Sequence, residues 1–266
     1  MSNAQLPVSI ERRERTAIVT LNRGDGRNAL NTEAMTLLRD IALELARDPD
    51  LGVVIVRGEG AFSAGVDLSE LAQGKPGAGK TVAELRELVK LGPAMCKAWE
   101  DIEAFTIAAI EGYCVGGAAA LAASVDYRVL GESAFLRLPE VPLGINMSWQ
   151  TIPRLVAQIG PARTKQYVIL GKRIAAKQAL DWGLCEEVTT DGKTLEAAQK
   201  LAAEILDLPP LPVRMTKQTV NAVANALSTL TSHMDRDQYL LTTQTQDFAE
   251  AVAAWRDKRK PKFTGN

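Results

Sequence analysis

The 266-residue chain is 46% hydrophobic and 24% charged, the profile of a globular protein able to bury a substantial core as one large α/β unit or two small ones. Its 31 basic and 32 acidic residues nearly cancel, which argues against the net basic face needed for non-specific nucleic-acid or membrane binding. No apolar run approaches the roughly 20 residues that cross a bilayer, and with no signal peptide in view a cytoplasmic location is expected; the opening MSNA reads as an expression remnant.

In chain order, TAIVTLN (16–22) and LGVVIVRG (51–58) are β-branched runs bounded by Gly and Asn and read as strands. Between them, apolar residues at 35, 37, 38, 41, 42 and 45 follow a helical period, with Asn31 or Thr32 as the cap. Residues 72–80, AQGKPGAGK, lack periodicity and read as a mobile surface loop; their GAGK is not the spacing of a phosphate loop. Further strands are expected at 106–113 and 126–138, and helices at 81–103, 117–124, 148–158, 161–170, 175–182 and 193–206. The alternation of strand and helix up to about residue 190 predicts an α/β core over 5–207. Beyond the Pro209–Pro210 pair only helical patterns follow, giving a C-terminal helical region over 208–266.

Two junctions of small residues could carry chemistry. GEGAFSAGVDLSEL (58–71) follows a strand, and so does EGYCVGGAAALA (111–122). Small side chains let a ligand approach the backbone, and one N–H from each junction could grip a single oxygen as an oxyanion hole. The same glycines would also serve tight turns or close helix packing. Ser63 is not in a nucleophile elbow, and the only histidine, His233, lies in a polar stretch, which disfavours serine hydrolysis and a His-rich metal site. Cys96, Cys114 and Cys185 form no CxxC pair and are expected to be reduced, buried thiols. Glu140 lies between two prolines in the apolar FLRLPEVPLG, where desolvation would raise its pKa toward neutrality and suit proton transfer; a surface or capping acid is the alternative.

RNALN (27–31), AFSAGVDL, IEGYCVGGAAAL, DYRVL, LPEVPLG, ILGKRIAAKQALDWGLCEEV (169–188) and WRDKRKPKF (255–263) occur in an order and spacing that resemble the crotonase superfamily, the enoyl-CoA hydratases and isomerases. The resemblance implies a spiral of ββα turns closed by C-terminal helices, assembled as a homotrimer or dimer of trimers. It implies acyl-CoA substrates, with coenzyme A as part of the substrate and no separate cofactor, and a thioester enolate held by an oxyanion hole. Carried over by motif, the oxyanion donors are the N–H groups of Ala64 and Gly117, each worth roughly 3–4 kcal/mol to the transition state. The CoA-binding positions are Arg27, Ala29, Ala61, Ala64, Lys258 and Phe263.

Of the two glutamates that hydratases use, one matches Glu140, while Ala120 stands at the place of the other. The glycine-rich turn that follows LG in the hydratases is replaced by INMSWQT (145–151), so Trp149, Met147 and Ala120 are expected at the acyl pocket. The leading expectation is one-carboxylate enolate chemistry, a double-bond isomerase or a related lyase, with Glu140 as base then acid. A hydratase, with Glu132 or Glu111 as the second acid, is the alternative, and a catalytically weakened CoA-binding homologue is the non-enzyme reading.

Overall fold

The computed structural model describes residues 6–67, 79 and 81–266. Residue 5 and, apart from Gly79, the expected 72–80 loop lie outside the described residues.

The main sheet contains β1 (Val8–Arg13), β2 (Thr16–Leu21), β3 (Val53–Gly58), β4 (Phe105–Ile110), β6 (Tyr127–Gly131) and β9 (Glu187–Thr189), in that order. Only the β1–β2 pair is antiparallel. The parallel strands bury both faces, as such sheets do. Ala17, Val19, Val54, Val56, Ala108 and Leu130 belong to the main core, while Ile18, Val53, Ile55, Ile107 and Val129 pack with Ala198 and Ala202 of a helix on the other side. Strand β1 was not expected from sequence: five of its six residues are exposed, Ile10 among them, and only Val8 is buried.

The helices of the core are α1 (Thr32–Leu45), α2 (Val82–Leu88), α3 (Leu91–Glu100), α4 (Gly117–Ala123), α5 (Thr151–Leu170), α6 (Ala176–Trp182) and α7 (Thr194–Leu206). Asn31 caps α1 by accepting the Ala34 N–H. The expected 81–103 helix is two helices. Pro93 lies in the first turn of α3, where its missing N–H costs nothing, but it would break a helix running on from α2. Conversely, the expected 148–158 and 161–170 helices join in α5, kinked where Gly160 has φ 74° before Pro161.

Each strand expected at 106–113 and 126–138 is also two. β4 turns at Gly112 into β5 (Tyr113–Val115), and β6 turns into β7 (Phe135–Arg137). These second strands form a separate ladder, β5–β7–β8, with β8 spanning Ile174–Ala175. Bridges Leu30↔Val66 and Ser63↔Cys114 repeat this pairing in earlier turns of the chain. A strand in the main sheet, a short strand in the second ladder and a helix form the repeating ββα unit.

Past residue 208 come α8 (Pro210–Ala224), α9 (Ser228–Thr243) and α10 (Gln246–Arg256). A buried ion pair joins them to the core: Lys217 Nζ lies 2.6 Å from Asp126 Oδ2 and donates to Ala104 O at 2.9 Å. No helix among the described residues is long and apolar enough to cross a membrane.

Candidate active site

The second ladder places the site. β5 and β7 run parallel with Val115 opposite Arg137, and Gly116 N–H donates to Arg137 O at 2.8 Å. The chain leaving β5 therefore enters α4 at Gly117 beside the chain leaving β7, which reaches Glu140 three residues later. Gly116 has φ 56°, and a Cβ there would stand 2.9 Å from Glu140 Oε1. Glycine is required both by the left-handed backbone and by the carboxylate against it.

Glu140 precedes a 3-10 turn, Val141–Leu143. Its Oε2 is sealed from solvent and has no hydrogen-bond partner among the described residues. Burial pushes its carboxyl up to about 7, opposed more weakly by its own backbone N–H and by the Arg137 charge. Two phenols flank it from different helices. Tyr167 of α5 is fully buried with an unpartnered hydroxyl, and its pKa is driven up by burial first, then by Cys114 and Glu140. Tyr239 of α9 is shifted the same way by burial, then Glu140. Neither tyrosine carried a motif that would have singled it out in the sequence.

The other junction meets this one. Ser63 N–H donates to Tyr113 O at 3.0 Å and Val115 N–H to Ser63 O at 3.1 Å, fastening the 61–67 segment to β5. Val66 Cγ2 then lies 3.2 Å from where a Cβ on Gly117 would stand. The expected donor, Ala64, does not fit its role: its N–H is already donated to Arg27 O at 2.9 Å. Two residues on, the Val66 N–H has no backbone acceptor among the described residues, and neither does that of Gly117. Among residues 62–67, Val66 is the one whose N–H is left without an acceptor. The signal was present in AFSAGVDL, but only the alternation of the Leu30↔Val66 bridge shows which N–H faces its neighbours and which faces the site.

The expected CoA-binding positions divide into two groups. Arg27, Ala29, Ala61 and Ala64 are brought together: Asn28 Nδ2 donates to Ala61 O at 2.8 Å, and Ser63 Oγ donates to Asn28 O at 2.7 Å. Those bonds give Ser63 a buried structural role. Lys258 and Phe263 are exposed on a tail folded back over α10, where Asp247 accepts the Thr264 and Gly265 N–H groups and Glu250 binds Arg259. Among the described residues they form no hydrogen bond or ion pair with the Arg27–Ala64 segment.

Of the residues expected at the acyl pocket, Ala120 and Met147 are buried in the main core and Trp149 packs against that core. The indole lies over Gly117, whose added Cβ would meet Cη2 and Cζ3 at 2.5 Å. The alternative second acids are engaged elsewhere. Glu111 caps α7 by accepting from Gly192 N, Thr194 N and Thr194 Oγ1, while Glu132 is exposed. His233 is exposed and the three cysteines are buried and free. A cavity of about 650 Å³ between α8 and the N-terminal ends of β4 and β6 includes none of the expected site residues.

Comparison with known proteins decides the family, since the family model for enoyl-CoA hydratase/isomerase matches residues 11–266. The chain belongs to the enoyl-CoA hydratase/isomerase family of the crotonase superfamily. It is 31% identical over 260 residues to the 2,3-dehydroadipyl-CoA hydratase of Escherichia coli strain K12, covering 96% of this chain and 98% of that one. It is 30% identical over 258 residues to the crotonyl-CoA hydratase of Syntrophomonas wolfei, covering 96% and 97%. Among solved structures, the carnitinyl-CoA hydratase of Mycobacterium avium superposes with a TM-score of 0.85 at 29% identity, covering 98% of this chain and all of that one. The fold is the crotonase fold, and the protein is an acyl-CoA enzyme of this family.

Proposed function

We propose that this family member moves a carbon–carbon double bond within an enoyl-CoA thioester, using one carboxylate. The observation that carries the reading is the pairing of a desolvated Glu140, poised near neutrality, with a fully buried Ala120 on the facing helix. Hydration needs a group to position and activate water as well as one to handle the proton at the α-carbon. An alanine methyl does neither, and Glu111 and Glu132 are committed or remote.

Isomerisation needs only one such group. Glu140 removes a proton from C2 of a 3-enoyl thioester, and the electron pair moves through C2 to the thioester oxygen as a dienolate. The Val66 and Gly117 N–H groups hold that oxygen. The protonated Glu140 then returns the proton at C4, leaving a 2-enoyl thioester and the original carboxylate. The dry surroundings of Oε2 raise the basicity of the carboxylate and strengthen the N–H contacts alike. Arg27, Ala29 and Ala61 with its neighbours would carry the CoA portion, with Lys258 and Phe263 reaching it from the C-terminal tail.

A second reading, hydration, is favoured by the names of the three relatives, each of which specifies a hydratase. One experiment separates the two. The protein is given matched 2-enoyl and 3-enoyl thioesters in deuterated water. Isomerisation gives conversion between the pair with deuterium at C2 or C4 and no 3-hydroxyacyl product; accumulation of 3-hydroxyacyl-CoA would establish the hydratase.

The reading includes self-association into trimers. Leu211, Met215, Val220 and Val223 leave α8 with exposed apolar side chains, which supports an interface there. Light scattering that gives a monomer mass would reject it.

A further inference from the structure

Trp149 and Gln150 are consecutive non-glycine residues in the left-handed region, with φ of 62° and 58°. A bulky side chain rarely adopts this conformation, and it persists only where the surroundings impose it. Here three elements do so. Arg154 of α5, almost wholly buried, donates from Nη1 to Trp149 O at 2.8 Å and from Nη2 to Gln150 Oε1 at 3.3 Å. Glu100 at the end of α3 accepts from Arg154 Nε at 2.6 Å and fixes the guanidinium. Asp235 of α9, also buried, accepts the Gln150 N–H at 2.9 Å.

The clamp sets the indole in a cradle of two glycines. A Cβ on Gly92 of α3 would fall inside the ring, against Cε2, Cζ2 and Nε1. A Cβ on Gly117 would meet the far edge of the ring, at Cζ3 and Cη2. The ring thus spans from α3 to the residue whose N–H faces the thioester oxygen, and Ala120 follows one turn along the same helix. An acyl chain begins at the carbon bearing that oxygen, so it starts beside the indole edge and meets the ring where a longer chain would run between α3 and α4.

We propose that Trp149, held by Arg154 and Asp235, is the end wall of the acyl pocket and restricts the enzyme to thioesters with short, compact acyl chains. Arg154 and Asp235 act through Trp149 as positioning residues, and because Asp235 comes from α9, the C-terminal helices help to set the length of the pocket. The inference rests on the acyl-CoA reading above but not on which reaction follows.

The test measures binding rather than turnover. Saturated butanoyl-, octanoyl- and dodecanoyl-CoA, which have no double bond to move, are titrated calorimetrically into the wild type, Trp149→Ala and Trp149→Phe. The wild type should bind butanoyl-CoA at least about tenfold more tightly than dodecanoyl-CoA, because a chain blocked by the ring has to withdraw the carbons next to the thioester that the short chain buries. Trp149→Ala should remove that preference chiefly by tightening the dodecanoyl complex. Trp149→Phe, a smaller change that keeps an aromatic ring in the cradle, should admit octanoyl-CoA and keeps the test open if the alanine variant misfolds. Equal affinity of the wild type for all three chains, or an unchanged preference in the folded variants, would overturn the proposal. Failure of the wild type to bind any of the three would instead overturn the acyl-CoA reading, and the wall with it.

Discussion

Gly116 and Glu140 are in contact across the two chains that leave β5 and β7: the glycine has no Cβ, and the glutamate's Oε1 uses that space at 2.9 Å from where one would stand. Gly116→Ala would strike the carboxylate and strain a φ of 56°. A loss of about 1–3 kcal/mol in stability is expected, together with a fall of at least about a hundredfold in kcat as the base is displaced. Denaturant melts and steady-state kinetics on the same sample check both. A variant with full activity would show that the carboxylate is free to move.

Glu140→Gln should abolish turnover while leaving the affinity for a saturated short-chain acyl-CoA within about threefold, since the amide keeps the shape and loses the base. Calorimetry beside the deuterium-exchange assay separates the two effects. Residual exchange at wild-type rate would assign the proton transfer elsewhere.

The pH dependence follows from the carboxyl at about 7. As a base, Glu140 must be ionised, so kcat/KM should rise with pH and level off above that value. Stability should move the other way. The folded protein holds a proton on Glu140 that the unfolded chain has already released, so stability falls as pH rises from the ordinary carboxyl range through about 7. At about pH 9 the buried charge costs up to about 3 kcal/mol, and Glu140→Gln should then be the more stable protein. Melts of both proteins at low and high pH would show the curves converging in acid; parallel curves would contradict the desolvated site.

Ala120→Glu is the substitution that would imitate a two-glutamate site. Ala120 is fully buried in the main core, so the new carboxylate has neither room nor solvent. The variant should lose at least about 2 kcal/mol of stability and gain no measurable hydration. Hydratase activity in this single variant would mean that the pocket repacks easily.

Arg154→Ala should destabilise by about 3 kcal/mol, because it leaves Glu100, a nearly buried charge, with only the longer 3.5 Å contact to Lys97 Nζ. Replacing both residues, by Met at 154 and Gln at 100, should recover much of that loss. Denaturation of the single and double variants tests this.

How far the sequence shows the site varies with the kind of contact involved. Glu140 stands out in the sequence because an acid between prolines in an apolar run is a local anomaly, and Gly117 because its junction has no bulky side chains. Between Ala64 and Val66 the sequence does not choose, since it does not say which N–H groups of an irregular segment find acceptors; the Arg27 carbonyl takes the Ala64 N–H across more than thirty residues of chain. The paired short strands were read as single long ones because only Glu111–Gly112 separates β4 from β5 and only Glu132–Ala134 separates β6 from β7, breaks too short to tell from the solvent-facing positions of one strand. Tyr167, Tyr239, Arg154 and Asp235 were invisible for a related reason. Each lies on a helix whose pattern is ordinary, and each acquires its role only when distant elements pack.

The three-rung pairing of Tyr113–Val115 with Phe135–Arg137 acts as a machinist's jig for the chemistry. Strand rungs are about 3.3 Å apart and alternate in facing, so a slip of one rung would carry the proposed base, Glu140, away from the Gly117 N–H and turn it to the wrong side. Residues 120 and 149 lie outside that pairing, on a helix and a loop that the jig only supports. Exchanging side chains there can change which reaction the enolate undergoes, and on what length of chain, without misaligning the proton transfer that creates it.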